Sequence, residues 1–209
     1  MKILQLGKTV LKKMLDPNLV TPGRLFVIEG PSGSGKSEFS KAFTSKLKSC
    51  GKSVLLAKEP RSSEDELCGT ALLDRILIDR RKYLYQTIIP ALIAGRTVVM
   101  DRYIPSMVYQ MLDGIKIEEL WEVNKNFLRP KMTIFLEAPR EILDTRIARR
   151  NILTRFEKPE YRDQEILCYK KVSNFLATKG WSIATLNTSI DSTENLVNTV
   201  LDIINVYSV

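Results

Sequence analysis

A glycine-rich loop with a lysine and a serine, between residues 30 and 37, carries the clearest chemistry in this sequence. It fits the pattern G-x-x-x-x-G-K-[ST] and follows an apolar, β-branched stretch at Leu25–Glu29 that predicts a strand. The glycines let backbone N–H groups turn toward phosphate oxygens, and the helix predicted from Lys36 adds positive partial charge at its N-terminus. We therefore expect a nucleotide phosphate site formed by Gly30, Pro31, Ser32, Gly33, Ser34, Gly35, Lys36 and Ser37.

The loop also suggests a metal site. Lys36 is expected to reach the β and γ phosphates, and Ser37 to offer its hydroxyl to Mg²⁺, which needs few protein ligands because it keeps much of its water. The apolar run Thr97–Asp101 ends in a carboxylate that could serve as the second metal partner. A helix-capping role for Asp101 is the alternative, since many buried strands end in aspartate.

Arginines follow two of the predicted strands. Arg61 follows the segment Lys58-Glu59-Pro60, and Arg102 follows Asp101, so both are expected at the edge where a ligand would lie. Two arginines there imply a second anion. Further along the chain, helical spacing predicts one shared face for Arg146, Arg149 and Arg150, with Arg155 nearby. That cluster could be a solvated helix face or an arginine-rich lid, at about 144–160, that closes over transferring phosphates.

Short apolar strands alternate with longer helical patterns from Arg24 onward. Continuous apolar strands of this kind are typical of a parallel sheet covered on both faces. We predict an α/β fold with a three-layer, doubly wound, five-stranded parallel sheet and ligands at the carboxyl ends of the strands. The predicted strands are Leu25–Glu29, Ser53–Ala57, Thr97–Asp101, Met132–Leu136 and Trp181–Leu186.

Composition restricts the possible functions. The chain has 209 residues, which favours a single domain, here residues 24–209. It contains no histidine, which excludes serine–histidine and cysteine–histidine catalysis and histidine-ligated zinc. No apolar run approaches the ~20 residues of a membrane span, so we expect a cytoplasmic protein with no membrane partner. The net charge of +8 fits nucleic acid or small anions.

Residues 1–23 form a separate segment. Leu4, Leu11 and Leu15 recur at roughly helical spacing with lysines between them, which predicts a short amphipathic helical extension. A transit peptide is the alternative because acidic residues are few, but arginine and serine are also absent before Arg24.

Taken together, these motifs resemble the thymidylate kinases and related deoxynucleoside monophosphate kinases. The resemblance runs from about Leu25 to the C-terminus. It is carried by Ile28-Glu29-Gly30 with the phosphate loop, Glu59-Pro60, Asp101-Arg102-Tyr103 with Ser106, the segment 130–139 and Arg155-Phe156-Glu157. It implies transfer of the ATP γ-phosphoryl group to a deoxynucleoside monophosphate, with Mg²⁺, by a homodimer that acts on small nucleotides and not on nucleic acid.

The resemblance also implies residue roles. Lys36 and Ser37 would hold ATP and the metal, Arg102 with Arg61 would bind the acceptor phosphate, and Asp101 would orient the metal's waters or the acceptor. Arg149, Arg150 and Arg155 would supply lid charge, and Arg80 or Arg81 would read the base edge. The remaining acceptor residues would be Glu59, Tyr103, Ser106, Tyr109 and Gln110.

Three positions depart from the family pattern. Ser32 replaces an acid that usually meets the substrate sugar, and Ile76 or Leu77 replaces an aromatic residue that stacks on the base. The Tyr109-Gln110 pair also arrives one residue early, a shift of about 100° around a helix. Because losing a stacking platform removes roughly 1–3 kcal/mol per base, we expect dTMP or another, even modified, pyrimidine deoxynucleotide as acceptor.

Two other functions fit parts of the pattern. A deoxynucleoside kinase would share the phosphate loop and the lid arginines and would use Glu59 as the base on a 5′-hydroxyl. A nucleotide-dependent regulatory or nucleic-acid-binding protein would instead turn ATP over slowly and bind nucleic acid in a salt-dependent way.

Overall fold

The computed structural model describes residues 16–60, 67–151 and 153–206. Its centre is a five-stranded sheet in the order β2-β3-β1-β4-β5, with every neighbouring pair parallel. The strands are β1 (Leu25–Glu29), β2 (Val54–Lys58), β3 (Thr97–Asp101), β4 (Met132–Glu137) and β5 (Ile183–Asn187). This arrangement confirms the predicted α/β fold with a five-stranded parallel sheet.

Helices connect the strands and cover both faces of the sheet. The described helices are α1 (Lys36–Ser49), α2 (Gly69–Tyr83), α3 (Ile89–Ile93), α4 (Val108–Leu112), α5 (Ile117–Asn124), α6 (Arg140–Ile147), α7 (Arg162–Thr178) and α8 (Thr193–Val206). A π-helical turn at Leu84–Ile88 joins α2 to α3, and 3₁₀ turns lie at Ile104–Met107, Arg155–Glu157 and Pro159–Tyr161. None of the described helices has the length and apolar character needed to cross a bilayer.

The core has two parts, one on each face of the sheet. Along β1, Leu25 and Val27 pack into one part while Phe26 and Ile28 pack into the other, because successive strand side chains point to opposite faces. The second part is completed by α1 and α8, and the first by α2, α3, α4, α5 and α7. Both faces of the central strand are therefore apolar, which explains its uninterrupted hydrophobic sequence.

Some predicted boundaries differ from the structure. The second strand runs through Lys58 and the fourth through Glu137. Trp181, predicted to begin the last strand, lies in the preceding loop. Helix α6 ends at Ile147, so the shared helical face predicted for Arg146, Arg149 and Arg150 is wrong. Residues 1–15, with most of the predicted extension, and Arg61 lie outside the described residues.

Gly30 marks the place where β1 turns into the phosphate loop. Its φ angle is +142°, and a Cβ added there would lie 2.1 Å from the carbonyl oxygen of Leu136. Gly51, after α1, also has a positive φ angle of +75°, but no described heavy atom would lie within 4 Å of its added Cβ. Both glycines have a positive φ angle, but only at Gly30 would a side chain also collide with a neighbouring strand. Comparing substitutions at the two positions therefore separates the cost of backbone strain from the cost of steric overlap.

We predict that Gly30→Ala destabilises the fold by about 3 kcal/mol, because the added methyl group overpacks against β4. Gly51→Ala should cost about 1 kcal/mol, the penalty of a left-handed residue alone. Urea unfolding midpoints of both variants would test this. Equal losses would show that the approach of Gly30 to Leu136 carries no stability.

Candidate active site

A cavity of about 710 Å³ opens at the carboxyl edge of the sheet. It brings together side chains that are far apart in sequence, from the phosphate loop, from α2, from α4 and from the lid segment after α6. The predicted site residues that border it are Ser32, Gly33, Gly35, Lys36, Ser37, Glu59, Arg80, Asp101, Arg102, Ser106, Tyr109, Gln110, Arg149, Arg150 and Arg155.

The phosphate loop presents free donors. The backbone N–H groups of Gly33, Gly35, Lys36 and Ser37 donate to no other group in the described parts of the chain. The ammonium of Lys36 donates to the carbonyl oxygens of Gly30 (2.7 Å) and Pro31 (2.8 Å). Burial lowers the pKa of Lys36, and the neighbouring Arg102 lowers it further. An anionic phosphate would oppose that shift and compete with the carbonyl oxygens for the ammonium.

Ser37 and Asp101 form the pair expected for a metal. The Ser37 hydroxyl donates to Asp101 Oδ2 over 2.7 Å, while Asp101 Oδ1 is buried without a hydrogen-bond partner in the described residues. No group of three or more cysteine or carboxylate ligands occurs in the described ranges. One hydroxyl and one carboxylate fit Mg²⁺, because this ion keeps several waters and takes phosphate oxygens from its substrate.

Arg102 is held in a strained conformation directly after β3. Its φ angle is +72°, which costs a residue other than glycine about 1–2 kcal/mol. Its Nη1 donates to the hydroxyls of Tyr109 (2.6 Å) and Tyr169 (3.1 Å). Among the described residues, its Nε and Nη2 groups have no partner, so the guanidinium keeps donors for an anion in the cavity.

Glu29 supports this segment from the end of β1. Its fully buried carboxylate accepts hydrogen bonds from the backbone N–H of Tyr103 (2.6 Å), the hydroxyl of Ser106 (3.0 Å) and the hydroxyl of Tyr169 (3.3 Å). Burial raises the pKa of Glu29 to about 7, although Arg102, Lys36 and the hydrogen bonds from Tyr103 and Ser106 lower it. Glu29 was part of the family resemblance but was not predicted as a site residue.

Ser32 is anchored by a buried ion pair on α7. Glu165 Oε1 accepts from the Ser32 N–H (2.9 Å), the Ser32 hydroxyl (3.1 Å) and the Tyr109 hydroxyl (3.1 Å). Arg162 pairs with Glu165 Oε2 and donates to the Ser32 carbonyl (3.0 Å) and to Asp144 Oδ1 (2.9 Å). Both backbone polar groups of Ser32, the N–H and the carbonyl, are thus bound by side chains of α7.

Sequence reasoning missed both α7 residues. An arginine and a glutamate three positions apart in the first turn of a helix are typical of a solvated surface pair. In the structure Arg162 and Glu165 are 1% and 0% exposed. The sequence does not distinguish an exposed pair from a buried one here, because Arg162 and Glu165 are buried against the phosphate loop, which is distant in sequence.

One part of the cavity is apolar. Its side chains are Leu72, Leu73 and Ile76 from α2 and Met107 from the 3₁₀ turn before α4, and we call this part the apolar end. Leu77 belongs to the core instead, so of the two residues expected in place of an aromatic ring only Ile76 borders the cavity. Tyr109 and Gln110 both border the cavity despite their shifted spacing.

Arg80 and Glu59 form a buried ion pair in the cavity wall. Arg80 donates to Glu59 Oε2 through Nε (2.9 Å) and Nη2 (2.8 Å), and to Asn124 Oδ1 through Nη1 (2.5 Å). Burial raises the pKa of Glu59, whereas Arg80 lowers it. Two buried atoms, Glu59 Oε1 and Gln110 Nε2, have no partner in the described residues. They leave one acceptor and one donor for a ligand.

The lid arginines have different partners. Arg149 is exposed and forms no ion pair or hydrogen bond with any described residue. Arg150 pairs with Glu157, and Arg155 pairs with Asp113. Arg146 donates from α6 to Thr188 and to the Gly33 carbonyl, so it ties α6 to the phosphate loop and to the segment after β5.

A few predicted residues do not border this cavity. The side chain of Tyr103 is fully buried, and its hydroxyl donates to the Leu128 carbonyl over 3.1 Å. Tyr103 therefore supports Glu29 through its backbone and cannot touch a ligand with its ring. Arg81 is exposed and packs over Phe127 outside the cavity. The others are Gly30, Pro31 and Ser34.

We predict that Arg162→Met destabilises the fold by about 3–5 kcal/mol, because it leaves Glu165 buried without its counter-ion. Arg140→Met is the matched control. Arg140 also donates to Asp144, but its side chain is 36% exposed, so we expect a loss of at most about 1 kcal/mol. Urea unfolding measures both losses. A similar loss in the two variants would contradict the anchoring role of Arg162.

Comparison with known proteins agrees with this geometry. The sequence model of the thymidylate kinase family matches residues 28–197. A thymidylate kinase of Xanthomonas campestris pv. campestris (strain B100) is 34% identical over 133 residues, which cover 57% of this chain and 59% of that protein. This chain therefore spans less than two thirds of that relative. A probable thymidylate kinase of Archaeoglobus fulgidus is 33% identical over 156 residues, covering 69% of this chain and 80% of that protein.

Solved structures show the same fold. The crystal structure of thymidylate kinase from Ehrlichia chaffeensis matches with a TM-score of 0.65 and 18% identity, covering 88% of this chain and 98% of that chain. At this identity the likeness concerns the fold alone. The sequence match, however, runs from the end of β1 into α8 and includes every segment that borders the cavity, and on this basis the chain belongs to the thymidylate kinase family.

Proposed function

We propose that this protein transfers the γ-phosphoryl group of ATP to the phosphate of a pyrimidine deoxynucleoside 5′-monophosphate, with dTMP as the first candidate. The observation that carries the proposal is that two groups able to bind a phosphate border the same cavity. Lys36 and the loop amides form one, and Arg102 forms the other. Both approach the Ser37–Asp101 pair closely enough for Asp101 to oppose the lowering of each cation's pKa by burial.

The described residues can perform most of the chemistry by positioning and charge. The loop amides and Lys36 bind the donor phosphates, and Arg102 holds the acceptor phosphate. When bound at Ser37 and Asp101, Mg²⁺ supplies positive charge to the donor phosphate oxygens. Arg149 brings further charge from the lid, while Arg150 and Arg155, also expected to supply charge, are directed toward Glu157 and Asp113.

The base is proposed to lie at the apolar end. Leu73, Ile76 and Met107 offer a flat aliphatic contact in place of a stacked ring, and this suits a pyrimidine with a methyl or a larger substituent. Gln110 Nε2 offers an unpaired donor to the base, and Arg80, which also donates to Glu59 and Asn124, is proposed to read the base edge. Arg61 remains a proposed second ligand of the acceptor phosphate.

A homodimer and a cytoplasmic location are also proposed. The first is supported by the family resemblance, and the second by the composition of the chain. Analytical ultracentrifugation would test the first of these.

One observation favours a second candidate, a deoxynucleoside kinase. Glu59 Oε1 is buried, borders the cavity and has no partner in the described residues, as a base for a 5′-hydroxyl would require. A coupled assay with ATP over a panel of nucleosides and monophosphates separates the candidates. Phosphorylation of thymidine but not of dTMP would reverse the order. ATP turnover indifferent to every acceptor would refute both.

We predict that Lys36→Ala lowers kcat by about 10²–10³-fold, the usual effect of removing one charge-stabilising donor. Arg102→Ala should lower kcat/KM for the acceptor by a similar factor and leave the KM for ATP within about twofold. Arg81→Ala, which removes an exposed arginine outside the cavity, is the control and should change neither constant. Full activity of Arg102→Ala would contradict the acceptor assignment.

A further prediction concerns Ser32. Restoring the family's acid by Ser32→Asp would place a carboxylate against Glu165 Oε1, which now lies 3.1 Å from the serine hydroxyl. Like charges at this distance in a buried site destabilise each other. We expect Ser32→Asp to lose about 2 kcal/mol of stability, as an uncompensated buried polar change does. Glu165→Gln in the same chain should recover most of that loss.

The Ser32→Asp, Glu165→Gln double variant then tests contact with the acceptor. Relative kcat/KM values for dTMP, dUMP and dCMP and for their ribonucleotide counterparts should change, while the KM for ATP stays constant. Glu165→Gln alone is the control. Unchanged ratios would show that Ser32 does not face the acceptor.

A further inference from the structure

Asp113 joins two walls of the cavity that are distant in sequence. It is the residue after α4, and its side chain is only 3% exposed. One carboxylate oxygen, Oδ2, accepts from the backbone N–H of Gly69 over 2.7 Å. The other, Oδ1, accepts from the guanidinium of Arg155 in the lid. Asp113 lies outside the motifs that carry the family resemblance.

At Gly69 the carboxylate acts as a helix cap from another element. Helix α2 begins at Gly69, and the residue before it, Cys68, makes no side-chain capping bond. The first turn of α2 also carries no acidic residue. A helix N-terminus favours both an acceptor for its free N–H groups and a negative charge. Asp113 supplies both, and so fixes the start of the helix that carries Leu72, Leu73 and Ile76.

At Arg155 the same carboxylate holds the lid. The Arg155 guanidinium lies over the ring of Phe156, 4.7 Å from its centroid, and 5.9 Å from that of Tyr161. Packed between these rings, it is directed at Asp113. Phe156 in turn contacts the Tyr109 ring at a centroid distance of 4.8 Å. The exposed Arg149, by contrast, is the lid arginine without a partner among the described residues.

We propose that Asp113 is a positioning residue of the acceptor site, which holds α2 and the lid together across the cavity through Gly69 and Arg155. The term acceptor rests on the proposed function, but the connection between the two walls does not. Arg155 then serves to hold the lid in place, and lid charge at the phosphates comes from Arg149, since Arg150 is paired with Glu157.

Amide hydrogen exchange without any nucleotide tests the connection. Asp113→Ala should speed exchange in the first turn of α2 and in the lid, at 153–161, by about 5- to 10-fold, the effect expected from losing one helix cap. Asp113→Asn keeps an acceptor for Gly69 and should speed exchange in the lid alone, as should Arg155→Gln. Asp74→Asn, at an exposed site on α2, is the control and should change neither. Unchanged lid exchange in Asp113→Ala or Asp113→Asn would overturn the proposal.

Steady-state kinetics test the consequence for the acceptor. Asp113→Asn and Arg155→Gln should each raise the acceptor KM by about tenfold and leave kcat and the KM for ATP within about twofold. Because the two residues act as one contact, the double variant should resemble either single variant. A further fall in kcat when Arg155→Gln is added to Asp113→Asn would overturn the role of Arg155. If the proposed acceptor is wrong, these assays show no turnover. The hydrogen-exchange experiment uses no nucleotide, so it still tests the connection between α2 and the lid.

Discussion

Balance of buried charge is the constraint on which the rest of this site depends. Phosphate transfer needs cations at the carboxyl edge of the sheet, but a buried cation is costly unless an anion lies beside it. Glu29 and Asp101 end neighbouring strands, and Glu165 approaches from α7, so that each lies close enough to offset part of the lowering of the Lys36 pKa by burial. The parallel sheet makes this possible, because it brings several strand ends to a single edge.

The same constraint explains the neutral residue in the phosphate loop. Ser32 lies where Glu165 already provides a carboxylate, and Arg162 neutralises that carboxylate from the same helix. A second acid in the loop would add negative charge to a place that has one counter-ion. The carboxylate beside Ser32 thus comes from α7, the helix that follows the lid. Because α7 binds the backbone of Ser32, it links the position of the lid to the phosphate loop.

The parts of the site that depend on local sequence could be predicted, and the parts that depend on contacts between residues far apart in the chain could not. The strand, loop and helix around Lys36 were predicted correctly, since local sequence determines each of them. The end of α6 was not, because Arg149 and Arg150 continue a helical pattern that the backbone leaves at Ile147. The buried pair on α7 could not be recognised at all, because its burial depends on contacts 130 and more residues away along the chain.

The cavity also indicates how a base could be selected without a stacking ring. Aliphatic walls discriminate weakly, since one methylene group is worth about 1–3 kcal/mol. Buried polar groups discriminate more strongly, because a site built to hydrogen-bond its ligand rejects an analogue that leaves those groups unpaired by about 10⁴–10⁵-fold. Glu59 Oε1 and Gln110 Nε2 are two such groups in one cavity. A ligand that supplies a donor to the first and an acceptor to the second would satisfy both at once, and under the proposed function hydrogen bonding rather than stacking would then set the base preference.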